Sequence, residues 1–230
     1  MHTKKLDQLT LLELASIHLD QYGHPRQLAD GWIQSGMGFL VGEIQHTRHQ
    51  VYAGFFSPLY GAFALLDQIG EIYKNTALPD CGNEAASGIK KSLYYFGGMS
   101  FDSDEVKALY GLRNALMHNG SLLYRGRFDQ KKNTWDGPFH RFRWNKSLAT
   151  PIKLPAFQWD GELDHLTPAC TTEINVAKIC ALAIASVAAA RRSLESNTLG
   201  ISLKEGEKEL YYRYLHHQSS EPEQEAEAAD

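Results

Sequence analysis

Cysteine is scarce in this chain of 230 residues: Cys81, Cys170 and Cys180 are odd in number and stand in no C-x-x-C spacing. That sets aside a disulfide framework and a zinc knuckle, and it makes a reducing cytoplasm the expected compartment. A long apolar run is missing too. The longest, Ile179 to Ala190, is rich in alanine and falls short of the ~20 residues that a membrane span needs. The opening stretch MHTKKLDQLTLLEL has no uninterrupted apolar segment and no small-residue cleavage site, so neither a signal peptide nor a membrane partner is expected. Positive charge is in no excess. With 23 Lys/Arg against 27 Asp/Glu the formal net charge is −4, so any hold on nucleic acid has to come from a local patch. No internal repeat occurs, which argues against a solenoid.

What is present is the composition of an ordinary water-soluble protein, 43% hydrophobic and 22% charged, in a chain long enough to bury a substantial core. One domain is expected over 1–217, followed by an acidic tail over 218–230. The tail carries Glu221, Glu223, Glu225, Glu227 and Asp230 with no base, too little apolar surface to offset the entropy of ordering it. Its charge hides a basic patch elsewhere. Between Tyr124 and Lys146 lie Arg125, Arg127, Lys131, Lys132, Arg141, Arg143 and Lys146 against Asp129 and Asp136.

Hydrophobic spacing predicts helices through most of the chain. Leu6, Leu9 and Ile17 mark a first one, ended by the Tyr22-Gly23-His24-Pro25 stop, and a second runs from near Arg26 through Ile44. His46 and His49 on it are three apart, as metal ligands often are. Nothing nearby completes a ligand set, so no metal and no other cofactor is expected. Ser57-Pro58 opens a strongly apolar helix that carries Asp67 and Glu71 one turn apart on a shared face, where they would orient an arginine or histidine. A short helix spans Lys90 to Tyr95. Asp102 with Glu105 reads as a capping box that starts the next helix near Ser103, and Asn119-Gly120 ends it. Leu122 to Phe128 and Phe139 to Trp144 then read as a β-hairpin insertion over about 122–145. The longest helix is expected over Thr171 to Glu195, and a short one over Lys208 to His217. These elements make a mainly α helical bundle with a basic hairpin.

Within the helix after Ser103, the stretch Tyr110 to Gly120 reads YGLRNALMHNG. At about 100° per residue, Val106, Leu109, Leu112, Leu116 and Met117 form its apolar arc, and Arg113 falls inside that arc. An arginine keeps its charge, so it must meet a carboxylate such as Asp67 or Glu71, a phosphate or a second subunit. Asn114 and His118 share a face, and His118 lies about 140° around the helix from Arg113. On ideal geometry Arg113 and His118 do not converge; they would meet across a two-fold axis or through an unwound last turn, and the stretch makes best sense as half of a site completed by a second copy.

RNALMH resembles the RNxxxH form of the R-x4-H motif of the HEPN superfamily. The match is closest over Leu112 to Gly120 and looser from Ala53 to Ser121. The resemblance implies a HEPN-like helical fold and a homodimeric, metal-independent endoribonuclease with Arg113, Asn114 and His118 as catalytic residues. His118 would transfer protons at the ribose 2′-hydroxyl or leaving oxygen, Arg113 would stabilise charge on the phosphate, and Asn114 would position one of them. Products would be a 2′,3′-cyclic phosphate and a 5′-hydroxyl. Arg125, Arg127, Arg141 and Arg143, alternating with Tyr124, Phe142 and Trp144, are the expected RNA-binding residues. A role in toxin–antitoxin systems, phage defence or stress response follows from the family alone, with an inhibitory antitoxin or regulatory protein as a further partner. Some members of the superfamily serve instead as non-catalytic RNA-binding or protein-interaction modules, the alternative for this chain.

Overall fold

The computed structural model describes residues 4–131 and 133–220, so Lys132 of the basic patch and 221–230 of the acidic tail lie outside the described residues. Thr10 and Glu13 cap each other reciprocally to start helix α1 (Leu11–His18). Strands β1 (Arg26–Leu28) and β2 (Gly31–Ser35) follow, and the Ser35 hydroxyl accepts from the Met37 amide to start α2 (Gly36–Thr47). Helix α3 (Phe56–Ile72) runs directly into β3 (Tyr73–Asn75), and a loop leads to α4 (Gly88–Tyr95). The motif helix α5 (Asp104–Asn119) begins at Ser103, whose hydroxyl accepts from the Val106 amide, and ends at a left-handed Gly120. The short strands β4 (Leu123–Tyr124), β5 (Arg127–Asp129), β6 (Thr134–Asp136), β7 (His140–Trp144), β8 (Ile152–Lys153) and β9 (Thr171–Ile174) come next. Helix α6 (Val176–Glu195), β10 (Leu199–Ile201), α7 (Glu207–Tyr214) and β11 (Leu215–Ser219) complete the described chain.

Helix α3 is the centre of the core. Leu59, Phe63, Leu65, Leu66, Ile69 and Ile72 on it are fully or almost fully buried, and α2, α4 and α6 pack around it. Removing each such side chain from water contributes about 2–3 kcal/mol. Contact between α3 and α4 is so close that a Cβ on Gly70 would stand 1.8 Å from the Gly88 carbonyl oxygen. Only glycine fits there. It brings the first turn of α4 against Asp67.

The expected mainly α bundle is corrected by the strands: among the described residues the fold is mixed α/β, 46% helical and 17% strand, with four sheets. Strands β1, β2 and β11 form one antiparallel sheet, β3 and β10 a second, β5 and β6 a third. The fourth is mixed, in the order β4-β7-β9-β8 with β7 and β9 parallel, and it packs on α5. Three predicted helices had absorbed strands. Gly31–Ser35 buries alternate residues, a period of two that the helical reading of Arg26 to Ile44 ran over. Thr171–Ile174, placed at the start of the longest helix, is β-branched at three of its four positions and forms β9 instead. Leu215 to His217, read as helix, lies in β11, as do Gln218 and Ser219 from the start of the predicted tail. The basic hairpin has a β4–β7 base and a β5–β6 tip, but β7 is shared with β9, so it is built into a sheet and is no appended insertion.

Candidate functional site: the C-terminal end of the motif helix

Two contacts fix α5 against α3. The Tyr60 hydroxyl donates to the Leu116 carbonyl at 3.4 Å, and Arg113 Nε donates to Asp67 Oδ2 at 2.8 Å. Residue numbers rise along α3 as they fall along α5, so the helices run antiparallel and the end of α5 lies beside the start of α3. Asp67 is shared between neighbours, because its Oδ1 accepts from the Ile89 amide in the first turn of α4 at 3.1 Å. Both carboxylate oxygens are engaged, and the guanidinium is held in one orientation.

The far side of that guanidinium is the site. Arg113 Nη1 donates to Asn114 Oδ1 at 3.0 Å and lies 3.5 Å from His118 Nε2, at the limit of hydrogen-bonding reach. The two residues that ideal helical geometry set about 140° apart therefore meet within one chain. The backbone arithmetic holds, but the long arginine side chain spans the difference after Asp67 has turned it. Among the described residues nothing engages Nη2 of Arg113, which leaves that edge for an anion. His118 and Met117 are exposed, so the site is an open surface.

Tyr124 completes the arrangement. Its ring packs on Gly111, where a Cβ would come within 2.7 Å of the ring. Burial pushes the Tyr124 phenol up, and a hydrogen bond from the Asn114 side chain partly opposes this. Neither Tyr60 nor Tyr124 was picked out from the sequence as supporting the motif; the signal was Gly111, an unfavourable residue inside a helix unless a ring needs its space.

The other expected residues are dispersed. Glu71 is exposed and lines a cavity of about 440 Å³ with Tyr73, Lys74, Asp80 and Lys204, and it makes no pair with Arg113. Arg125 donates to the Gly161 carbonyl through Nε and Nη2 and lies over the Trp135 ring. Arg127 belongs to β5, and its side chain is outside the described set. Along β7, His140 and Phe142 are buried while Arg141 and Arg143 are exposed, so the two arginines lie on the sheet face opposite Phe142. Arg143 pairs with Glu173 at 2.5 Å. His46 and His49 bond to Gln50 and Arg48 respectively, and no group of potential metal ligands occurs among the described residues.

Electrostatics distinguish this end of the molecule. No Asp or Glu occurs in 44–60, 112–127 or 140–154. These segments touch one another: Tyr60 on Leu116, Phe55 on Trp144, and Leu123 opposite Arg141. Asp67 and Glu173, which border these segments, are paired with Arg113 and Arg143, while Asp104 lies near His140. A surface of this kind attracts polyanions.

No described helix is long and apolar enough to cross a membrane. Comparisons with protein-family models, curated proteins and solved structures find no match to this chain.

Proposed function

We propose that this chain is an endoribonuclease of the HEPN type, carried by the motif on α5 within a mixed α/β fold. The observation that supports it most is the Asp67–Arg113–His118 relay, in which a fixed guanidinium presents a free edge beside an exposed histidine, in segments that carry no Asp or Glu of their own. With RNA in place the Nε2 lone pair of His118 turns from Arg113 Nη1 to a ribose 2′-hydroxyl and takes its proton, and the 2′-oxygen attacks the adjacent phosphorus. Arg113 stabilises the charge that builds on the phosphoryl oxygens, and Asn114 keeps its Nη1 in place. The P–O5′ bond breaks, the 5′-oxygen takes up a proton, and the products are a 2′,3′-cyclic phosphate and a 5′-hydroxyl.

A homodimer belongs to the same proposal in a changed role. Arg113 and His118 need no second copy to meet, yet the reaction needs both a base and an acid, and each motif supplies one histidine. The partner copy's motif is the proposed source of the acid. Its three free thiols suit work in the cytoplasm, and the proposal extends to toxin, phage-defence or stress roles held in check by an inhibitory protein.

The test is incubation of mixed RNA with the protein in EDTA, beside Arg113→Ala and His118→Ala. Wild type is expected to cut while both variants lose about 100-fold or more. Intact RNA with wild type, or equal cutting by the variants, removes the proposal and leaves a binding module.

A further inference from the structure

A row of aromatic rings leads away from the end of α5. From Tyr60, whose hydroxyl touches Leu116, the row passes to Phe56, stacked on Tyr60 with centroids 6.4 Å apart. Phe55 meets Phe56 edge-on at 4.8 Å, and then meets Trp144 of β7 at 5.0 Å. Phe56 is 41% exposed and Trp144 40%, although rings of this size are normally placed to bury their faces. The Lys146 ammonium lies over the Trp144 ring at 4.5 Å.

The backbone that presents Trp144 and Lys146 is tethered to Glu173, Ile174 and Asn175. The Asn145 amide donates to the Ile174 carbonyl at 2.8 Å, Asn145 Nδ2 to Glu173 at 2.6 Å, and Asn175 Nδ2 to the Lys146 carbonyl at 3.0 Å. A ligand meeting these rings therefore needs little ordering of the chain. Lysine is the mobile part. Its flexible stem lets the ammonium leave the ring face for an adjoining phosphate while the ring stays where it is.

We propose that Trp144, Phe56 and Lys146 form a stacking platform for unpaired nucleotides, so that the RNA reaching His118 is single-stranded. This rests on the reading of the site as one that takes RNA. The segments that carry these rings hold no Asp or Glu, and Glu173, which Asn145 contacts, is paired with Arg143, so a polyanion is favoured over an apolar protein surface as the occupant. Stacking on an aromatic face is open to every base, but only when that base is out of a duplex. The platform selects unpaired strands without selecting sequence.

The test uses the full-length His118→Ala protein, titrated at fixed salt into labelled short oligouridine RNA and into an RNA duplex of equal length, with fluorescence anisotropy as the readout. The single strand is expected to bind at least about ten-fold more tightly than the duplex, and adding Trp144→Ala to weaken it about ten-fold. Trp144→Phe, which keeps a ring, is expected to retain most of the affinity, and this separates stacking from misfolding. Unchanged single-strand affinity in Trp144→Ala, equal affinity for the duplex, or no RNA binding at all overturns the platform. The nuclease reading fails separately. Full cleavage with an unaltered KM in Trp144→Ala removes the platform alone, whereas Trp144-dependent binding in a wild-type protein that never cuts RNA removes only the nuclease.

Discussion

One carboxylate, Asp67, accepts from Arg113 Nε at 2.8 Å and, through its other oxygen, from the Ile89 amide at 3.1 Å. It joins α3, α4 and α5 at one point and aims the arginine at His118. Asp67→Asn keeps the volume and removes the charge. It is expected to lower kcat/KM on RNA about ten-fold, because a misaimed guanidinium meets the phosphate less well. Both partners are about one-fifth to one-quarter exposed (20% and 24%), so the loss of stability should be modest, roughly 1–2 kcal/mol. Kinetics with a thermal melt checks both; a fully active Asp67→Asn would make the aspartate a bystander.

The approach of α4 to α3 is the scaffold of that contact. Gly70→Ala would place a Cβ 1.8 Å from the Gly88 carbonyl oxygen, with backbone on both sides and nothing flexible to yield. A destabilisation of about 3 kcal/mol or more is expected in chemical denaturation. A substitution tolerated within half that amount would mean the two helices can separate without cost.

Acid should weaken the fold before it strips the carboxylates of their charge. His18 is fully buried, with Nδ1 2.9 Å from the Tyr73 hydroxyl and the Tyr214 ring beside it, and burial depresses its pKa from 6.5 to about 4. Burial also brings His140 to about 4, against a smaller opposing pull from Asp104. Both are lower in the folded than in the unfolded chain, so below pH 6.5 the unfolded state binds more protons. Stability is therefore full above pH 6.5 and falls as the pH drops toward 4, by on the order of a few kcal/mol. Denaturant midpoints across that range measure it, and His18→Gln should flatten the slope.

If a second copy supplies the acid, specific activity is concentration-dependent. Sedimentation at micromolar protein is expected to show a dimer, and activity per chain to fall on dilution below its dissociation constant. Constant specific activity from a monomer would place acid and base in one chain.

Much of α5 was legible in the sequence, because its signals are local: a polar cap near Ser103 and the Asn119-Gly120 stop bound it in the structure as well. Even there the cap is Ser103, one residue past the Asp102 that the capping-box pattern suggested. The strands were less legible. Thr171–Ile174 and Leu215–Ser219 are short and abut helices, so a helical window covers them, and what makes them strands is pairing with β7, β8 and β2, far away in the chain. Convergence of Arg113 and His118 was hidden for a different reason. Spacing gives the direction of a Cβ, whereas the reach of an arginine depends on which partner turns it, and Asp67 is 46 residues distant. Alternation along β7 already set Arg141 and Arg143 apart from Phe142 and Trp144; the structure adds that the face with His140 and Phe142 is the packed one.

The most direct measurement replaces one ribose. An RNA that the wild-type protein cuts at a defined position is remade with a single 2′-deoxynucleotide on the 5′ side of that bond, and the products of both are resolved with their end groups. Cleavage through His118 and the 2′-hydroxyl gives a 2′,3′-cyclic phosphate from the unmodified strand and no cut at the deoxy position. Cutting at the deoxy position, or a 5′-phosphate on the downstream product, would contradict it.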